Sequence, residues 1–244
     1  MPTWDEFAWA AFLYGAIGGN YDYQGLMRQT HLLGSLRTNP TGLQTNQIQQ
    51  KVVRDFLNRW KCRVQNTPQS ANAIQTTLQN LLPYTQILNG LIIATVNFTQ
   101  QVNVNNSLMT VGQVIVHCYT KVRNIKYKFG PTATSKLLHI LQPELFIMWD
   151  KEILSHYRQQ NRQVSDSGQG YCAYLEFMQQ VAMQVYQSFR NAALNPPATA
   201  NQTPAVYLST QMNYNSFKTL AKYLDEYNWV TITRGVQVPP PWHP

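Results

Sequence analysis

Between Leu108 and Pro143 apolar residues recur at helical spacing on both sides of a single break, Phe129-Gly130-Pro131, and no other stretch constrains the fold as much. On the near side Leu108, Val111, Ile115, Cys118 or Tyr119, and Val122 share one helix face, which runs into the basic segment Lys121 to Lys128. On the far side a second helix is expected at once, with Thr132 or Thr134 as its N-cap and Pro143 closing it. The segment from about 108 to 142 therefore reads as helix, short hairpin, helix.

The remaining windows are also mostly helical. Ile48, Val52, Phe56, Leu57 and Trp60 form a face of a basic amphipathic helix over roughly 45–62. A helix with Ile74, Leu78, Leu81 and Leu82 is expected after Pro68; Pro83 should kink or end it before Ile87 to Ile93 continue, and 97–107 reads as a loop. Asp150 is expected to cap a helix over 151–158, the polar loop 159–170 follows, and Tyr174 to Phe189 make a long helix. Residues 195–204 read as a linker, Phe217, Leu220, Ala221 and Leu224 as the last helix, and 236–244 as an extended proline-rich tail. Trp4, Phe7, Trp9, Phe12, Leu13 and Tyr14 suggest a core helix, with 15–25 as a loop beyond it. Alternating patterns are few, so the chain reads as all-α, and its 244 residues can bury the core of a single domain, 1–244.

Charge narrows the class. The formal net charge is +8, and from Phe56 to Pro143 there are Arg59, Lys61, Arg63, Lys121, Arg123, Lys126, Lys128 and Lys136 but no Asp or Glu. Such a one-signed field suits a polyanion; the competing reading is a cationic surface that serves solubility. The three cysteines are odd in number and lack CxxC spacing, and the five histidines lack metal spacing, so no metal or other cofactor and a reducing cytoplasm are expected. No run is apolar and long enough for a bilayer span, and no basic leader precedes Asp5 and Glu6.

Lys136 and Asp150 stand inside otherwise apolar sequence, Ser135-Lys136-Leu137-Leu138 and Trp149-Asp150. Burying either charge is costly unless it is paired or used, and a desolvated lysine becomes a nucleophile at neutral pH. The bland readings are a snorkelling or phosphate-binding Lys136 and an Asp150 that caps the next helix. The turn itself suits phosphate: Gly130 permits close approach, Thr132 and Thr134 offer hydroxyls beside a helix N-terminus, and Lys126 and Lys128 flank it.

This run resembles the helix-hairpin-helix DNA glycosylases, in which a lysine opens the helix after the hairpin and an aspartate caps a later one. The resemblance covers about 108–160; the hairpin is Phe129-Gly130-Pro131-Thr132 rather than a two-glycine turn. It implies two intimate helical lobes with a cleft, a monomer acting on double-stranded DNA with a flipped base, Lys136 as the amine that attacks the sugar, and Asp150 as its partner. The missing four-cysteine cluster implies a cluster-free branch of the 8-oxoguanine type, with a phage-type hypermodified cytosine, such as glucosylated hydroxymethylcytosine, as the other candidate base. A lyase step after base release is part of the same expectation. His139, Phe146 and Trp149 are candidates for an aromatic base slot, against the plainer readings of core aromatics and a helix-face histidine.

Two other classes stay open: a non-catalytic helix-hairpin-helix DNA-binding module, and a protein-interaction domain with incidental charge. Phosphate-loop, HExxH, GxSxG and dinucleotide signatures are absent.

Overall fold

Short polar residues in extended backbone start most of the helices. Thr3, Thr67 and Thr110 each accept from the backbone N–H three residues on, and Glu6, Ser70 and Gln113 return a bond to the cap. Asp150, Ser167, Thr203 and Thr219 cap in the same way. Each such cap stabilises its helix by about 1 kcal/mol. In the computed structural model, residues 1–17, 21–161, 163–194, 197–199, 201–213 and 218–237 are described.

The elements in order are α1 (Trp4–Ala16), α2 (Tyr21–Met27), α3 (Thr30–Thr38), a 3-10 turn (Pro40–Gly42), α4 (Thr45–Gln47) running into a π-helix (Ile48–Asn58), and α5 (Pro68–Ile87). A hairpin of β1 (Gln101–Val104) and β2 (Ser107–Thr110) leads to α6 (Val111–Arg123) and α7 (Pro131–Leu141). Then come α8 (Lys151–Gln160), α9 (Gly168–Asn191), α10 (Pro204–Gln211), α11 (Leu220–Asn228) and a second π-helix (Trp229–Thr233). The protein is mostly helical, as its periodicity predicts.

α6 is central, packed by α5, α7 and α9, while α1 lies on α9 and α11. Gly168 marks how close α9 comes to α6: a Cβ there would stand 2.6 Å from both Val116 O and Thr120 Oγ1. One apolar cluster joins residues from Trp4 to Leu224, with Phe146, Met148 and Trp149 fully buried inside it.

Several expectations need correction. α5 runs through Pro83 to Ile87, and 88–93 leave it in turns and irregular backbone rather than continuing a helix. Part of 97–107 is the β-hairpin, closed by Asn105 and Asn106 at φ 49° and 62°, a conformation asparagine tolerates. Leu108 therefore lies in β2, exposed, not on α6. The cap of α7 is Gly130 with Pro131 at the first helical position, not Thr132 or Thr134, because proline's fixed φ already suits that place. Trp9 and Phe12 stack on each other at the surface instead of joining the core. α2 occupies part of the expected 15–25 loop, and Gly168 and Gly170 belong to α9. Phe217 and the tail from 238 onward lie outside the described residues.

Candidate functional site

Lys136 and Asp150 are brought together by their neighbours. The Trp149 N–H donates to Ser135 Oγ at 3.1 Å, and the Ser135 hydroxyl proton faces the carbonyls of Trp149 at 3.2 Å and Thr132 at 3.1 Å, with Ser135 and Trp149 both fully buried. The Trp149 indole N–H also donates to Pro131 O at 3.2 Å. The strand-like run after α7 is thereby pinned to the start of that helix, and the side chains one position further on line one cavity.

That cavity holds about 470 Å³ and is walled by Tyr14, Arg59, Trp60, Lys61, Thr132, Lys136, Trp149, Asp150, Asp225, Trp229, Thr233 and Arg234. A somewhat larger depression of about 550 Å³, between Phe98 and Glu176, carries one carboxylate and no cation. Chemistry therefore favours the smaller cavity. Both π-helices deliver residues to it: one ends just before Arg59, Trp60 and Lys61, and the other supplies Trp229 and Thr233. π-helical turns are rare and tend to mark functional places.

The Lys136 ammonium donates to the Trp60 carbonyl at 3.1 Å and lies 4.9 Å from the centre of that indole. Burial pulls its pKa down; Cys62, Asp225 and Asp150 oppose the fall, and Lys222 adds to it. Burial pushes the Cys62 thiol up, with Lys136 acting against that rise. Asp150 Oδ1 accepts from the Ile153 N–H at 2.9 Å, capping α8, and Oδ2 accepts from the Thr233 hydroxyl at 2.8 Å. Cap and cavity wall are thus one residue.

Beneath the cavity lies a charged cluster that sequence reasoning missed. Lys222, fully buried, donates to Asp225 Oδ2 at 2.7 Å and lies 4.5 Å from the Tyr14 ring centre and 5.0 Å from that of Trp60. Lys218 donates to Glu226 Oε2 at 3.0 Å and makes an ion pair with Oε1 at 2.8 Å. Burial acts to lower the pKa of Lys222, but Asp225, Tyr14 and Glu226 outweigh it and hold the group above its ordinary value. Lys218 goes the other way, burial prevailing over Glu226.

The other candidates divide. Lys126 and Lys128 are exposed on the turn before α7, Gly130 and Thr132 are half-buried, and Thr132 reaches the cavity. Thr134 is fully buried and its hydroxyl donates to Gly130 O at 2.9 Å, so it offers nothing to a phosphate. Trp149 lines the cavity, whereas His139 and Phe146 do not. His139 is buried between Phe146 O, 2.6 Å from Nδ1, and the Tyr23 hydroxyl, 2.9 Å from Nε2. Because a carbonyl only accepts, Nδ1 carries the proton and Nε2 receives from Tyr23.

Among the described residues no group of His, Cys, Asp and Glu could hold a metal ion, and no helix is long and apolar enough to cross a membrane. No family model, curated protein or solved structure matches the chain.

Proposed function

We propose that the protein is a DNA glycosylase that excises a damaged or modified base, with Lys136 as nucleophile and Asp150 as its electrostatic partner. One observation carries the reading: a desolvated amine and a carboxylate fixed by two hydrogen bonds wall the same cavity, between Trp60 and Trp229.

The chemistry follows from these groups. Departure of a base leaves positive charge on the sugar, which the Asp150 carboxylate stabilises across the cavity. The neutral Lys136 amine bonds to C1′ as the C1′–N bond to the base breaks; the leaving base keeps that electron pair, and the proton it takes up balances the one that the new secondary ammonium on Lys136 releases. Ring opening then gives a Schiff base on Lys136. Three indoles, those of Trp60, Trp149 and Trp229, and Tyr14 provide apolar surface for a nucleobase turned out of the stack, and Asp225 provides an acceptor at its edge. The helix-hairpin-helix role belongs to α6, the turn through Gly130, and α7, whose N-terminus no side chain caps. An uncapped N-terminus beside Lys126 and Lys128 suits a backbone phosphate.

The test is borohydride trapping on duplexes containing 8-oxoguanine, uracil, alkylated bases or glucosylated hydroxymethylcytosine, with Lys136→Gln alongside. A covalent species that needs Lys136 supports the mechanism and names the substrate. Binding to duplex with neither trapping nor free base refutes it in favour of a non-catalytic DNA-binding module.

A further inference from the structure

The turn that follows the first π-helix has an unusual backbone for its sequence. Lys61 and Arg63 sit at φ 60° and 56°, and in the turn beside it Tyr127 and Lys128 sit at φ 74° and 64°. Long and aromatic side chains rarely occupy the left-handed region, and they persist there only when the surroundings hold them. Those holding contacts are present. Asn58 Nδ2 donates to Val64 O at 2.8 Å and Asn58 Oδ1 accepts from the Val64 N–H at 2.7 Å, closing the first turn on itself. The Gln65 N–H donates to Tyr127 O at 3.0 Å, docking one turn on the other.

Burial alternates along the held segment. Arg59, Lys61 and Arg63 are exposed, while Trp60 and Cys62 are half-buried and Val64 is buried. The inward residues build the nucleophile's surroundings: Trp60 accepts from Lys136, and the Cys62 thiol lies in its field. The outward residues present cations, of which Arg59 and Lys61 reach the cavity wall. Among the described residues no carboxylate pairs with Lys61, Arg63, Lys126 or Lys128. Two basic turns are therefore joined by a backbone hydrogen bond, and the first of them reaches the wall of the Lys136 cavity.

We propose that the turn 59–65 is a second phosphate clamp, which grips the DNA strand flanking the nucleotide drawn into the cavity and acts beside the grip of the 124–130 turn. The choice of DNA as the polyanion rests on the glycosylase reading. The outward cations and the inward Trp60 lie on one segment, so that strand engagement and the surroundings of Lys136 are linked through it.

The experiment is fluorescence anisotropy of a labelled duplex carrying one tetrahydrofuran abasic analogue, titrated at several salt concentrations. It compares the wild type with Lys61→Gly/Arg63→Gly. Glycine adopts the left-handed backbone freely, so the turn is kept and only the cations go. Affinity should fall roughly tenfold, and the slope of log affinity against log salt should flatten by about two units, one for each lost contact. Lys61→Asn/Arg63→Asn, also tolerant of that backbone, should reproduce the result, and Arg190→Gly, in a depression beside Phe189, should leave the slope unchanged. Folded double variants with wild-type affinity and slope overturn the clamp while leaving the glycosylase reading intact. A wild type with no salt-sensitive affinity for duplex overturns both.

Discussion

Ser135 and Trp149 hydrogen-bond to each other in both directions, and their chain neighbours are Lys136 and Asp150. The apposition of amine and carboxylate is therefore set by the buried Ser135 hydroxyl on the Trp149 backbone rather than by attraction between the two charges. Ser135→Ala strands the Trp149 N–H in an apolar interior, which should cost about 1–3 kcal/mol in denaturant unfolding. Base release should fall by more than the loss of folded protein explains, because the cavity wall loses its anchor. Unchanged stability in Ser135→Ala would contradict this account of how the site is positioned.

For Lys136, the sign of the pH effects follows from its lowered pKa. Covalent chemistry needs the neutral amine, so the rate should rise with pH and level off below the ordinary lysine value of 10.5. Lys136→Arg, which keeps its proton, should give no trapped species. Between the lowered pKa and 10.5 the unfolded chain binds more protons than the folded one, so this residue makes stability rise with pH across that window. Below the window its burial penalty is fully present. Lys136→Met should therefore stabilise the protein at neutral pH, by about 1 kcal/mol, while abolishing activity. Thermal melts beside trapping assays check both halves.

Asp150 has two duties that substitution can separate. Asparagine caps helices as well as aspartate does, so Asp150→Asn should keep the cap of α8 and most of the stability while lowering the single-turnover rate at least tenfold. Asp150→Ala should lose the cap as well, at a further cost of about 1 kcal/mol. Equal rates in the wild type and Asp150→Asn would reduce the residue to its capping role.

How much could be read from the chain depended on the range of the interaction. The break at Gly130 and Pro131, the cap at Asp150 and the long helix after Ser167 arise from neighbours within one turn, and apolar spacing exposes them. The hairpin was hidden because its strands are four residues each and its turn is Asn105-Asn106, whose left-handed backbone no local pattern announces. Trp60, Asp225 and Trp229 meet Lys136 only through packing of distant elements, so periodicity placed Trp60 on a helix face and said nothing of Trp229. Lys222 could have been found: it interrupts the apolar run Leu220 to Leu224 just as Lys136 interrupts its own, and Asp225 and Glu226 follow directly.

His139 gives the protein an acid-labile joint. Burial, set against the bond to Phe146 O, brings its pKa down to about 3 from an ordinary 6.5. The unfolded chain therefore takes up a proton between these values that the folded chain refuses, and the stability this residue supports is lost as pH falls from 6.5 towards 3. The stability profile of His139→Gln should be flatter across that window. An identical slope in wild type and variant would remove His139 from the acid response.

Lys222 connects the buried cluster to the nucleophile. Lys222→Met leaves Asp225 without its 2.7 Å partner at the cavity wall and the fully buried Glu226 with Lys218 alone. Breaking a buried pair in this way costs about 3–5 kcal/mol. The same change acts on Lys136 from two sides, because Lys222 pushes its pKa down and Asp225 pulls it up. Removing the cation and unmasking the carboxylate both raise it, so the pH–rate midpoint should move to higher pH. Lys222→Met/Asp225→Asn removes both charges together; it should recover part of the stability and return the midpoint towards the wild type. A midpoint that ignores both variants would mean that the cluster supports the fold alone, with no electrostatic reach into the cavity above it.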